Sequence, residues 1–214
     1  MALARTASTR RPASEDSETR TALLNAAARV MVDEGYAAVT TRRLGAAAGV
    51  NSALVYYYFE SMDGLFVELF RRGAEQSLAG MQEAVRSPQP LWHVWDLSRE
   101  QSSSALTMEL IALANHRKAL RAEIAHYARR SRRIQLEGLT EVLAVYGIDP
   151  AQWPAAAVLV VMSGISRFLH IEDAFAVDIG HGETIALVER LITDLEGPRA
   201  SQPDRPAPSR RTTA

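Results

Sequence analysis

Apolar residues recur along this chain at intervals of three and four, the period of an α-helix, over nearly its whole length. In the first such segment, about Glu18 to Glu34, Leu23, Ala27, Val30 and Met31 form one stripe and Gly35 ends the helix. Tyr36 and Val39 tie the following link to the core. Thr40 to Phe59, TTRRLGAAAGVNSALVYYYF, then splits into two short helices. Thr40 N-caps the first by accepting from an amide one turn on, and Leu44 and Ala47 share its inner face. Gly49 stands where that helix stops, because glycine takes the left-handed conformation without a side-chain clash. Val50 fills the turn, and Asn51 or Ser52 caps a second helix that carries Val55 and Phe59 inward at an i, i+4 spacing. Two short helices about a tight turn make a helix-turn-helix, whose second helix can lie in a DNA major groove.

Ser61 caps a longer helix, about Met62 to Val85. Its Leu65, Phe66, Leu69 and Phe70 face the head, while Leu78, Met81 and Val85 continue beyond it. Ser87-Pro88-Gln89-Pro90 stops it. Further helices follow at about Pro90–Ser102, Ala105–Asn115, His116–Tyr146, Pro154–Glu172 and Glu183–Glu196. The pattern therefore predicts an all-α chain of about nine helices. A three-helix head occupies 18–78, a larger helical domain occupies 79–196, and disordered tails occupy 1–17 and 197–214. The short segment ALTMELIALANH is apolar on most faces and should be buried. Ala155 to His170, AAAVLVVMSGISRFLH, is apolar nearly all round, so it must be covered on every side. A partner subunit is the simplest cover, and Ala155, Ala156, Ala157, Ser163 and Gly164 permit close helix approach. The last helix carries Ile185, Val188, Leu191, Ile192 and Leu195 as its stripe.

Composition narrows the chemistry. Of 214 residues, 47% are hydrophobic, which is ample for a core. The formal net charge is only -1, so any nucleic-acid surface must be a local patch. No run of about 18 consecutive apolar residues predicts a membrane span, and no apolar h-region follows the N-terminal arginines. With no cysteine there are no disulfides or thiolate sites, which is compatible with a reducing cytoplasm. The five histidines are scattered, and HExxH, GxSxG, P-loop and dinucleotide patterns are absent, so neither an enzyme nor a metal or cofactor site is expected. The positive charge gathers elsewhere. Thr41 and Arg42 lie in the first turn of a helix, where free amides favour a phosphate, and Arg43 adds charge. Asn51, Ser52, Ala53 and Leu54 open the next helix, the part closest to base edges. Tyr56, Tyr57 and Tyr58 point about 100° apart, so at least two hydroxyls should reach solvent or phosphate. Arg5, Arg10 and Arg11 could touch DNA as a basic arm or belong to a plain flexible leader. The long helix bearing His116, Arg117, Lys118, Arg121, Arg129, Arg130, Arg132 and Arg133 reads as a solvated face or as an anion site.

The segment from Thr19 to Leu69 resembles the DNA-binding motif of the tetracycline-repressor (TetR) family of bacterial regulators. Caps, glycine, aromatics and core positions all fall at the required offsets. The resemblance implies a ligand-responsive transcriptional regulator, a repressor binding a palindromic double-stranded operator as a homodimer in the bacterial cytoplasm, nucleoid-associated when DNA-bound. It also implies a C-terminal inducer pocket for an apolar or acyl-type small molecule. Trp92, Trp95, Met108, Tyr127, Met162 and Phe168 are the wide side chains available to line it, or to serve as plain core. Val158, Met162, Ile165, Leu187 and Leu191 are the expected dimer face, and no membrane partner is expected. One departure stands out: the family often carries lysine at the start of the fourth helix, where this chain has Met62 between Glu60 and Asp63. A helical protein-binding adaptor is the alternative function. An adaptor, however, has no need of Thr41, Arg42 and exposed tyrosines on one helix edge.

Overall fold

The computed structural model describes residues 13–102 and 104–200. Among them are nine α-helices, one short 3-10 turn and no strand. The helices are α1 (Ala13–Glu34), α2 (Thr41–Ala48), α3 (Ala53–Phe59), α4 (Met62–Ala84), α5 (Pro90–Ser102), α6 (Ala105–Ala114), α7 (Lys118–Val145), α8 (Ala155–Asp173) and α9 (His181–Glu196), with the 3-10 turn Tyr36–Ala38 before α2. They form two compact units, neither contiguous in sequence. One holds the chain up to Ala79 together with Gln101–Arg133, and the other holds Gly80–Glu100 with the chain from Ile134 onward.

In the first unit, the stripe of α1 (Leu23, Ala27, Val30, Met31) packs with Leu44, Val55, Phe59, Leu65, Phe66 and Leu69 in one buried cluster. Leu110, Leu113 and Ala114 of α6 and Leu120 of α7 belong to the same cluster. Each fully buried leucine contributes about 1.5–3 kcal/mol, which is why Gln101–Arg133 sides with the head and not with the rest of 79–196. Only one side of α6 is covered. Leu110, Leu113 and Ala114 are buried while Ala105 and Ala112 are exposed, so the expected burial holds on that side alone. The Tyr36 amide donates to Glu109 Oε2 at 2.9 Å. Arg71–Glu123 and Arg130–Glu75, each 2.7 Å, are exposed ion pairs of small energetic weight.

The head begins earlier than the apolar stripe suggests. α1 starts at Ala13, so the expected tail to Ser17 is corrected over its last residues. Asp16 there accepts a hydrogen bond from the Tyr58 hydroxyl at 2.9 Å. Arg5, Arg10 and Arg11 lie outside the described residues.

The core of the second unit is Met81, Trp92, Trp95, Leu139, Leu143, Leu159, Met162, Val188 and Ile192. Glu196 closes it from the end of α9. Its carboxylate accepts from the Leu91 amide (2.7 Å), the Trp92 amide (3.1 Å) and the Tyr146 hydroxyl (2.7 Å). An anion thus sits on the free amides and positive dipole end of α5. Burial, and then the Glu196 carboxylate, push the Tyr146 hydroxyl well above its ordinary range. The expected tail is also corrected at this end, because 197–200 folds back. Trp92 Nε1 donates to Gly197 O at 3.0 Å, Gln89 Nε2 to Pro198 O at 2.9 Å, and the Ala200 amide to Gln89 Oε1 at 2.7 Å. Arg199 lies 4.4 Å above the Trp92 ring and pairs with Asp96 at 2.9 Å. Residues 201–214 lie outside the described residues. His181, buried at the start of α9, stands 2.9 Å from Glu172 and 3.2 Å from Asp173.

By length and composition alone α8 could cross a membrane, with a mean hydropathy of 1.5. Its burial is one-sided. Leu159, Met162, Ser166 and Leu169 are buried, whereas Val160, Val161 and Phe168 are each more than half exposed. Among the described residues, the expected cover on every side is therefore missing.

Candidate nucleic-acid interface

Local chemistry sets the geometry of the head. Thr40 is extended (φ -116, ψ 156), and its hydroxyl accepts from the Arg43 amide at 3.2 Å, which starts α2. Gly49 ends that helix at φ 69, in the left-handed region. At the second helix the two candidate caps separate. Asn51 Oδ1 accepts from the Ala53 amide at 2.8 Å, while Ser52 makes no side-chain cap bond. Asn51 is therefore the cap, and the Ser52 hydroxyl has no hydrogen-bond partner among the described residues. Ser61 caps α4 by accepting from the Gly64 amide at 3.0 Å. Gly45 governs how closely the helices approach, since a Cβ there would stand 2.9 Å from Val50 O and 3.0 Å from Ser52 N.

Val55 and Phe59 are buried, which rotates Tyr56 (56% exposed) and Tyr57 (66%) outward. Arg42, Ser52 and Ala53 are exposed beside them, and Thr41 is half-buried in the first turn of α2. Three of the predicted contacts also have partners within the head. The Tyr58 hydroxyl is held by Asp16, and its ring meets Tyr57 edge-on at 4.9 Å. Arg43 Nε stands 3.0 and 3.1 Å from the two carboxylate oxygens of Glu34, and that hydrogen bonding holds the carboxylate below its ordinary range. Leu54 is half-buried against the core. The free edge is thus Arg42, Ser52, Ala53, Tyr56 and Tyr57. Arg20 adds support from α1, pairing with Glu68 and lying 5.6 Å over the Phe59 ring.

Sequence reasoning missed a groove of about 530 Å³ beside this edge. Tyr36, Thr40, Thr41 and Tyr56 line one part, Met62, Phe66 and Leu113 another, and His116 and Arg117 of the α6–α7 turn a third. Arg117 Nη1 stands 3.0 Å from Asp63 Oδ1 and its guanidinium lies 6.0 Å from the Phe66 ring. The run of basic residues was the available signal, but periodicity does not say that this turn returns to the head.

The expected ligand residues do not all converge. Trp92, Trp95 and Met162 share the buried cluster of the second unit, where Trp95 Nε1 is buried without a hydrogen-bond partner among the described residues. Met108 and Tyr127, both half-buried, belong to the first unit. The Tyr127 ring meets Phe70 edge-on at 5.5 Å, and burial raises its hydroxyl above the ordinary value. Phe168 is 58% exposed and encloses nothing within the chain. The expected dimer residues also divide. Leu187 and Leu191 are exposed, Val158 and Ile165 are half-buried against the second core, and Met162 is 7% exposed inside it. Met162 is corrected to a core residue, because its side of α8 is already occupied by the chain's own packing.

The model for bacterial regulatory proteins of the tetR family matches residues 23–69. Along most of its length the chain is similar to the HTH-type transcriptional repressor BepR of Brucella suis biovar 1 (strain 1330). The two are 26% identical over 207 residues, which cover 88% of this chain and 97% of that one. Among solved structures, SCO7518 from Streptomyces coelicolor A3(2) matches with a TM-score of 0.61 at 24% identity, over 82% of this chain and 99% of that one. A TetR transcription regulator from Haloarcula marismortui ATCC 43049 matches with a TM-score of 0.66 at 19% identity, over 83% and 97%. These last two likenesses concern the fold.

Proposed function

Because the chain belongs to the TetR family of bacterial regulators and is a DNA-binding transcriptional regulator, not an enzyme, we propose that it represses transcription as a ligand-released homodimer. The observation carrying this reading is the outward edge of α3, where Ser52, Ala53, Tyr56 and Tyr57 are exposed while Val55 and Phe59 anchor the helix. Helix α3 enters the major groove, with Ser52 reaching base edges or phosphate and Ala53 a thymine methyl. Thr41, Arg42 and the first amides of α2 hold the neighbouring phosphates. That BepR is a repressor supports the sign of the effect.

The open apolar sides of α8 and α9 supply the pairing surface: Val160, Val161 and Phe168 with Leu187, Leu191 and Leu195. An apolar surface of this kind marks a site of association, and a second copy covers it with like surface. Two-fold symmetry then requires a palindromic operator with half-sites about one helical turn apart, or a multiple of that. The inducer is a small apolar or acyl-type molecule held in the second unit near Trp92 and Trp95. Helix α4 contributes residues to both units and carries the effect of binding. A ligand releases DNA only by favouring the unbound state, typically by about 1–3 kcal/mol. Such a protein works in the cytoplasm, on the nucleoid when bound.

Selection of binding sites from a pool of random duplexes, with sedimentation of the free protein, tests the reading. A palindromic consensus and a dimer are expected. A consensus without two-fold symmetry, or a monomer at micromolar concentration, would overturn it.

A further inference from the structure

We propose that the α6–α7 turn is a second phosphate-binding element of the DNA interface, with Lys118 and Arg121 touching the backbone and Arg117 neutralising Asp63 beside it. The inference rests on the DNA-binding reading above and adds to it a surface outside the helix-turn-helix. Its basis is a juxtaposition. The groove beside the recognition edge is lined by Thr40, Thr41 and Tyr56 of the helix-turn-helix together with His116 and Arg117, all within one compact unit. A phosphate backbone that passes Thr41 and Tyr56 therefore runs past the turn.

Charge makes the case specific. His116, Arg117, Lys118 and Arg121 are all exposed and lie within six residues of chain. Among the described residues no ion pair engages Lys118 or Arg121, so their charges are uncompensated. Asp63 stands in the first turn of α4, next to the groove-lining Met62, where it would repel DNA from that helix's free amides. Arg117 lies 3.0 Å from it and cancels that charge. Met62 brings no charge to the same turn, so cations of the α6–α7 turn supply what α4 lacks. The fitting partner is the phosphodiester backbone of duplex DNA, bound without regard to sequence.

The test is fluorescence anisotropy of the full-length protein against the selected operator and a random duplex, across a series of KCl concentrations. In Lys118→Ala/Arg121→Ala, the slope of log K against log [salt] should fall by roughly 1 for each cation removed from each protomer. Affinity should drop about equally on both duplexes. Arg117→Ala should lose more than Lys118→Ala, and Asp63→Asn added to Arg117→Ala should recover part of the loss. Tyr56→Ala reports separately on the recognition helix, by lowering the ratio of operator to random binding. A wild-type slope and affinity in the double variant, while Tyr56→Ala still loses discrimination, would remove the turn from the interface and leave the regulator standing. Failure of the wild-type protein to bind any duplex would overturn both.

Discussion

Replacing Gly45 by alanine tests how tightly α2 and α3 are joined. The added Cβ would stand 2.9 Å from Val50 O and 3.0 Å from Ser52 N and Cα, where ordinary contact begins near 3.4 Å. About 0.5 Å must be found, and every atom in the way is backbone, so no side chain can swing aside. Overpacking of this kind costs about 1–3 kcal/mol. It is offset by the roughly 1 kcal/mol that alanine gains over glycine inside a helix, which leaves a net loss of about 0–2 kcal/mol. Gly73, exposed on α4 with nothing within 4 Å of its Cβ position, is the control. The same change there should stabilise by about 0.5–1 kcal/mol. Urea unfolding followed by far-ultraviolet circular dichroism would read both. Displacing Ser52 should also cut operator affinity by about tenfold or more, about 1.4 kcal/mol, while Gly73→Ala binds as wild type. If Gly45→Ala were as stabilising as Gly73→Ala and bound the operator unchanged, the close approach would not exist.

Other substitutions separate the parts. Arg42→Ala and Tyr56→Ala should each weaken operator binding about tenfold with dimerisation intact, and Arg43→Ala should do less because Glu34 holds its charge; gel shifts ranking Arg43 first would contradict this. Phe168→Asp with Leu191→Asp should give a folded monomer, whereas Met162→Asp should unfold the second unit at a cost of about 3 kcal/mol or more. A stable dimeric Met162→Asp protein, seen by sedimentation and melting, would refute the placement of that side chain. The hydrogen bond that His181 donates to Glu172, opposed by burial and aided by Asp173, raises the His181 pKa above its ordinary value near 6.5. The imidazolium is thus favoured by folding, so its stabilisation is complete below about pH 6.5 and is lost as pH rises through the higher folded value. Urea midpoints from pH 5.5 to 8.5 should fall for wild type and flatten for His181→Gln; equal curves would show that the contact is not made.

Much of the head was legible because its signals are local. Thr40, Gly49 and Ser61 act on amides within four residues, and the i, i+4 pair Val55 and Phe59 sets the rotation of α3 without help from the rest of the fold. What escaped depends on distant partners. Ala13–Ser17 carries no apolar stripe, yet Asp16 meets Tyr58 across 42 residues of chain. Residues 197–200 have no periodicity at all and are placed by Gln89, Trp92 and Asp96. Helix α8 failed for another reason. Being apolar all round, it offers no phase, so Met162 and Val161 look alike until one turns out buried and the other open. The groove was invisible because it unites Tyr56 with Arg117, and the packing of α6 on α1 and on the 3-10 turn brings that turn to the head.

The discontinuity of the two units bears on how the chain emerges from a ribosome. When the three helices of the reading head are out, its buried cluster is still incomplete, because Leu110, Leu113 and Leu120 have yet to be synthesised. The amides that open α5 wait longer, for a carboxylate 105 residues downstream. A premature stop between Arg133 and Pro154 would release a polypeptide whose first unit has all its parts and whose second does not. Such a fragment would keep the outward edge of α3 while lacking both apolar helices that would pair it with its twin.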